Sequence, residues 1–247
     1  MGRSVLIARQ LTSRRTKSKP IWGRQVRNVD KILAIVWKDL LTEVRSRELV
    51  IGMLVFSMLT IVTFNFAFDL TGVERAPSGA GALWVAFIFA SLLGLGRAVA
   101  LERDKGSFDG LLLVPVDRGM IYLGKLLGNV IFITAVQLVT IPVFGALFDL
   151  PVYQPMLFVV LFLGTLGIAG LGTLFSIMAA STRAREVMLP VLLFPVALPV
   201  VISTVRATTL VLTDRTESLM QWVNLLAAFD AIFLTIAFLV FDRVVED

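Results

Sequence analysis

Cysteine and histidine are both absent from the 247 residues. Without cysteine there is no disulfide and no thiolate metal site. Without histidine the commonest zinc, copper and haem ligand is missing, and so is the commonest general acid and base. Charge is scarce as well: Asp, Glu, Lys and Arg make up 17% of the chain, below the share a soluble domain carries. Ahead of residue 49 no charge-free apolar core of signal-peptide length occurs.

What is present is apolar. Hydrophobic residues account for 57% and the mean hydropathy is +0.87, values of a polytopic membrane protein. Eighteen glycines and nine prolines, several inside apolar blocks, predict kinked and closely packed helices. The expected fold is all-α: six transmembrane helices preceded by an amphipathic interfacial helix.

Residues 1–28 carry eight basic side chains and no acid. They read as a flexible basic tail held near anionic headgroups, each cation contributing roughly 1 kcal/mol close to the surface; a mitochondrial-type presequence has the same composition. The remainder, 29–247, reads as one membrane domain. From Val29 to Arg47 apolar residues fall at 29, 33, 36, 37, 40, 41 and 44, the spacing of one helical face. Glu43 precedes Arg47 at the favourable i,i+4 spacing, and Trp37 suits headgroup depth. Six spans follow, at about 49–68, 79–96, 126–148, 156–180, 187–205 and 221–241, each near the 20 residues that cross a core of about 30 Å. Pro142 interrupts the third, and Pro190, Pro195 and Pro199 mark the fifth as broken or kinked. Asp69 to Ser78 and Arg206 to Met220 read as outer loops.

Twenty of the 23 Lys and Arg residues lie in the segments on the terminal side of these spans, and three in the other loops. The positive-inside bias puts both termini in the cytoplasm, as a multi-pass protein of the cell (inner) membrane. A net charge of +5 and a pI near 10.0 follow from this bias and call for no nucleic acid.

The segment Arg97–Lys125, RAVALERDKGSFDGLLLVPVDRGMIYLGK, carries nine charges and reads as an aqueous loop. Within it Leu111, Leu112, Leu113 and Val114 form an apolar wedge before Pro115, a feature that suits either docking onto another protein or lying on the headgroups. Gly119 to Lys125 has the spacing of a phosphate-binding loop, but Leu126 stands where Ser or Thr would hold magnesium and no strand precedes it. Its glycines are expected to turn the chain into the third span, with Lys125 snorkelling. Small residues at 165, 169, 172, 176 and 180, with glycines at 164, 167 and 170, predict close packing in the fourth span. Asp230 falls near the middle of the sixth span, and Gln137 near the middle of the third. An intramembrane acid is a functional candidate, or else a protonated side chain in a structural hydrogen bond.

With KDLLTEVRSRE closing the interfacial helix and LERDKGSFDGLLLVPVDRGMIYLGK between the second and third spans, the chain resembles an ABC-2-type permease. More narrowly it is similar to the haem exporter protein B (CcmB) family of cytochrome c maturation. LGTLGIAGLGTLFSIMAAS and LPVLLFPVALPVVI in the fourth and fifth spans add to a likeness covering residues 30 to about 240. The resemblance implies a permease subunit that is not itself an enzyme. Its partners would be a separate ABC ATPase subunit, other cytochrome c maturation membrane proteins, a haem chaperone and membrane lipid, with a homodimer inside the complex. ATP would act through the partner, haem would be a transported or handled ligand, and no cofactor or metal would be held tightly by this chain. The ATPase-coupling loop would comprise Glu102, Arg103, Phe108, Leu111, Leu112, Leu113, Pro115, Asp117 and Arg118, with Phe108 to Val114 a short coupling helix. Two other readings stay open: an ABC-2 exporter of a lipid, glycan or drug, and a membrane scaffold without transport.

The basic asymmetry predicts that cysteines placed at Ser107 and at Ser78 react with an impermeant thiol reagent from opposite sides of the membrane. Labelling of both from one side would contradict the six-span topology.

Overall fold

Runs of about 20 apolar residues satisfy their backbone in hydrocarbon only as helices or closed barrels, and this chain forms helices. The computed structural model describes residues 28–68, 75–104, 117–180, 185–215 and 217–244. Among them are seven helices: α1 (Asn28–Ser46), α2 (Glu48–Ala67), α3 (Arg75–Asp104), α4 (Arg118–Phe148), α5 (Pro155–Ala180), α6 (Arg185–Leu212) and α7 (Leu219–Val244). Six of these, α2 to α7, are long and apolar enough to cross a membrane, so the all-α, six-span architecture is as expected. Nearly all of the basic tail and the whole of the apolar wedge lie outside the described residues.

Several boundaries differ from the sequence reading. The second span starts at Arg75, because Pro77 falls in the first helical turn, where a missing N–H costs nothing. The third begins at Arg118, so residues 119–125 are helix and not a turn. The fifth continues through Arg206 to Leu212. Arg206 is exposed and leaves the helix intact, and the chain turns only at Asp214, whose φ of 54° is left-handed. Nor does proline interrupt α4 or α6: Pro142, Pro190, Pro195 and Pro199 all lie inside continuous helices. Each deletes one intrahelical hydrogen bond, a loss that neighbouring helices and local hydroxyls offset in membranes. Beside Pro199, Ser203 Oγ donates to the Pro199 carbonyl at 2.6 Å.

α1 joins α2 through an elbow at Arg47, a non-glycine residue at φ 56°. Glu43 does not pair with Arg47 as a helical ion pair. Its carboxylate instead accepts the Val50 N–H at 2.9 Å, capping α2 from seven residues upstream. Val29, Leu33, Trp37, Leu41 and Val44 stay more than half exposed, while Ile35 and Val36 are buried. Most of the expected apolar face of α1 therefore points outward, and the helix packs inward through the edge of that face at Val36 and through Ile35, which lies off it.

α3 and α5 are the central helices: 72% of each span is buried, against 22–39% for the other four. Glycines make the centre possible. A Cβ on Gly164 would run into the Trp84 ring, and one on Gly172 into Leu95 Cδ1. α5 therefore seats side chains of α3 directly on its backbone. The stripe of small residues is a packing surface. Trp84 is fully buried, and its Nε1 donates to Thr208 Oγ1 of α6 at 2.9 Å, tying the two helices across the core.

Gly164→Ala should destabilise the bundle by about 1–3 kcal/mol through overpacking. In a Trp84→Phe background, where the ring is smaller, Gly164→Ala should cost less than it does in the natural chain. Thermal unfolding in detergent measures both; an unchanged midpoint for Gly164→Ala would contradict the close contact.

Candidate functional site

The charged segment lies between α3, described as far as Asp104, and the capped start of α4. Glu102 and Arg103 belong to the last turn of α3, which runs to Asp104. Asp117 is the N-cap of α4: its carboxylate accepts the Gly119 N–H at 3.0 Å, the usual way an acid serves a helix start. Arg118 is the first residue of that helix. Phe108, Leu111, Leu112, Leu113 and Pro115 lie outside the described residues.

Gly119 to Lys125 forms the first two turns of α4, and its glycines serve packing. A Cβ on Gly119 would meet the Phe238 ring of α7 at 2.5 Å, and one on Gly124 would meet Ile35 of α1 at 2.9 Å. One turn on, Gly128 faces Asp39 of α1, whose Oδ2 is 3.7 Å from the corresponding Cβ position. Ile35 and Asp39 thus lie along a Gly124-x-x-x-Gly128 groove, the small-residue spacing that lets helices approach closely. A phosphate cradle needs a loop with free N–H groups; beyond the first turn this backbone is hydrogen-bonded within the helix. Lys125, expected to snorkel, is 7% exposed and buried in the same region. Tyr122 is fully buried: its hydroxyl donates to the Gly170 carbonyl at 3.2 Å, and its ring centroid lies 5.4 Å from that of Phe241.

The start of α4 is therefore a junction. It touches α1 through Gly124 and Gly128, α7 through Gly119 and Tyr122, and α5 through the Tyr122 hydroxyl. At the same end Arg97 of α3 pairs with Glu48 of α2. Both side chains are more than half exposed, so the pair is worth little to stability but places the two helix ends side by side.

Deeper in the bundle, polar side chains fix the register of α4 on α5. Gln137 Nε2 donates to Thr165 Oγ1 at 2.8 Å, and Asn129 Nδ2 donates to Thr173 Oγ1 at 2.8 Å. The two bonds are eight residues apart on each helix, in the opposed order of an antiparallel pair. α2 is tied to α4 by Ser57 and Thr140 at 3.2 Å and by Asn65 Nδ2 on the Leu147 carbonyl at 2.8 Å. Gln137 and Asp230 are not hydrogen-bonded. Gln137 has Thr165, whereas Asp230 lies against Gly167, on another side of α5. Asp230 is 3% exposed, and neither carboxylate oxygen has a hydrogen-bond partner among the described residues.

Sequence reasoning missed the Gly124–Gly128 groove, whose signal was visible but overlapped the phosphate-loop spacing. Asn129 and Thr173 were legible only as isolated polar residues in apolar runs, and Thr165 only as a member of the small-residue stripe, with nothing to say which faced which.

A bundle of six membrane-crossing helices, with an interfacial helix docked on the third span, defines the protein as a polytopic membrane protein. The CcmB protein family matches residues 30–246, and the chain belongs to that family. It is 29% identical over 150 residues to the haem exporter protein B of Rhodobacter capsulatus, covering 60% of this chain and 69% of the relative. Similar matches, of 28% and 27% over 150 residues, are to the haem exporter protein B of Paracoccus denitrificans and of Pseudomonas aeruginosa. They cover 60% of this chain and 69% and 67% of those relatives.

Thr165→Val strands the Gln137 amide in the core and should cost about 1–3 kcal/mol, whereas Thr165→Val with Gln137→Leu should recover most of it, since both polar groups are then gone. Thermal midpoints of the three proteins in one detergent decide this; additive losses would contradict the pairing.

Proposed function

We propose that this chain is the permease subunit of an ABC transporter for cytochrome c maturation. A separate ATPase subunit would drive either haem export or release of a haem-loaded chaperone. Membership of the CcmB family over residues 30–246 carries the reading, supported by the relatives' name, haem exporter protein B. The use of Gly119 to Lys125 in helix packing fits a chain that leaves ATP hydrolysis to its partner.

The ATPase acts on the membrane part only through contacts that differ between its nucleotide states. In this reading the wedge Phe108 to Val114 is the contact, seated in a groove of the ATPase on the cytoplasmic side. Its flanks end on rigid elements: Glu102 and Arg103 in the last turn of α3, Asp117 and Arg118 at the capped start of α4. A pull on the wedge then moves α3 and α4 together. Because α4 begins at the junction with α1, α5 and α7, the displacement passes to all three. The outward apolar side of α1, with Trp37 64% exposed, lies in the inner lipid interface and serves as the fulcrum. The complex holds two copies of the chain.

Leu112→Asp or Phe108→Asp should abolish co-purification of the ATPase subunit, because losing one large buried apolar contact costs about 2–5 kcal/mol. Arg14→Ala should leave it unchanged, with membrane insertion of each variant verified first. Full recovery of the ATPase with both wedge substitutions combined would place the contact elsewhere.

A further inference from the structure

Nothing at the helix ends explains Asp230. It stands 11 residues from each end of the span Leu219–Phe241, about 16 Å along the helix from either side. A Cβ on Gly167 would lie 2.5 Å from Asp230 Oδ1 and 3.1 Å from Val200 Cγ2. The carboxyl group therefore occupies a seam between α5, α6 and α7, in a notch left open by a glycine.

An unpaired carboxylate in such a place is costly, since neither water nor a counter-charge solvates it. Among the described residues no counter-charge faces the seam. α5 has no charged residue between 155 and 180. α6 presents Val200; its Arg206 is exposed, and Arg185 and Glu186 begin the helix at least 14 residues away. On α7, Asp242 and Arg243 lie 12 or more residues on. On α4, the Tyr122 hydroxyl is bonded to the Gly170 carbonyl, and Lys125 bonds neither oxygen of Asp230. On α3, Trp84 is engaged with Thr208.

We propose that Asp230 is a proton-binding site at the centre of the membrane, buried in the packed α5–α6–α7 seam as the neutral acid. The ligand is a proton. Any movement that parts α5 from α7 admits water to the notch, breaks the O–H bond and hands the proton to that water; closure reverses the step. Opening of this seam is therefore linked to proton release. The inference stands on Asp230 and its surroundings and does not depend on the transport function proposed above.

The test compares the full-length chain with Asp230→Asn and Asp230→Leu in detergent micelles, following the denaturant-unfolding equilibrium from about pH 5 to about pH 8. Denaturant unfolding parts α5 from α7 and admits water to Asp230, whereas the packed seam excludes water and any hydrogen-bond partner among the described residues. The folded state then binds more protons than the unfolded one, so stability falls as pH rises. Relative to Asp230→Asn, the natural chain should lose stability steadily with pH, by up to about tenfold in the folding equilibrium constant per pH unit. Asp230→Leu gives a second neutral reference if the asparagine variant fails to fold. A difference that stays constant across the range, or reverses sign, would overturn the proposal.

Discussion

Helices already in hydrocarbon gain little from the hydrophobic effect by touching one another, so what holds a bundle together is how closely their backbones approach. Here that approach is concentrated on α5. Gly164 seats the Trp84 ring, Gly167 the Asp230 carboxyl, Gly170 the Leu234 side chain and Gly172 Leu95. A methyl group at any of these positions would displace a neighbour. α3, α6 and α7 are placed by contact with one backbone, and α4 is added by the hydrogen bonds from Gln137 and Asn129. The rest of the architecture depends on α5 remaining smooth.

The same device recurs at the start of α4 with a different consequence. Gly124 and Gly128 receive α1, which the elbow at Arg47 and the Glu43–Val50 hydrogen bond join to α2, and Gly119 receives Phe238 of α7. The interfacial helix and the third span are therefore closely packed at the side where the charged segment connects. The start of α4, which follows the charged segment, is also the end of that helix that carries the packing onto α1 and α7.

Asp230 and the hydrogen-bonded pairs show two ways a membrane interior uses polar groups. Gln137, Thr165, Asn129 and Thr173 have partners and fix register, since sliding α4 on α5 by one turn would break both bonds at once. Asp230 lacks a partner among the described residues, so it adds nothing to register and is sensitive instead to whatever enters its notch. The first group specifies one packing; the second distinguishes the packed state from a hydrated one.

By itself the sequence determined the class of protein and its main divisions. Apolar runs long enough to cross the bilayer require helices, because no other open structure satisfies the backbone there. The 3–4 spacing before Leu49 made α1 visible, and LERDKGSFDGLLLVPVDRGMIYLGK made the family recognisable. Helix ends were less legible: Arg206 and Pro77 looked like breaks, but the fold tolerates one on an exposed face and the other in a first turn. Only the tertiary structure decided what the glycines near residue 120 are for. A phosphate-binding loop and a helix-packing groove share the same residues, and the difference lies in what sits above them, Ile35, Asp39 and Phe238. It likewise decided that Gln137 is paired and Asp230 is not. Depth along a span follows from counting residues, but a partner is set by the rotation of each helix about its axis, which packing against distant segments fixes.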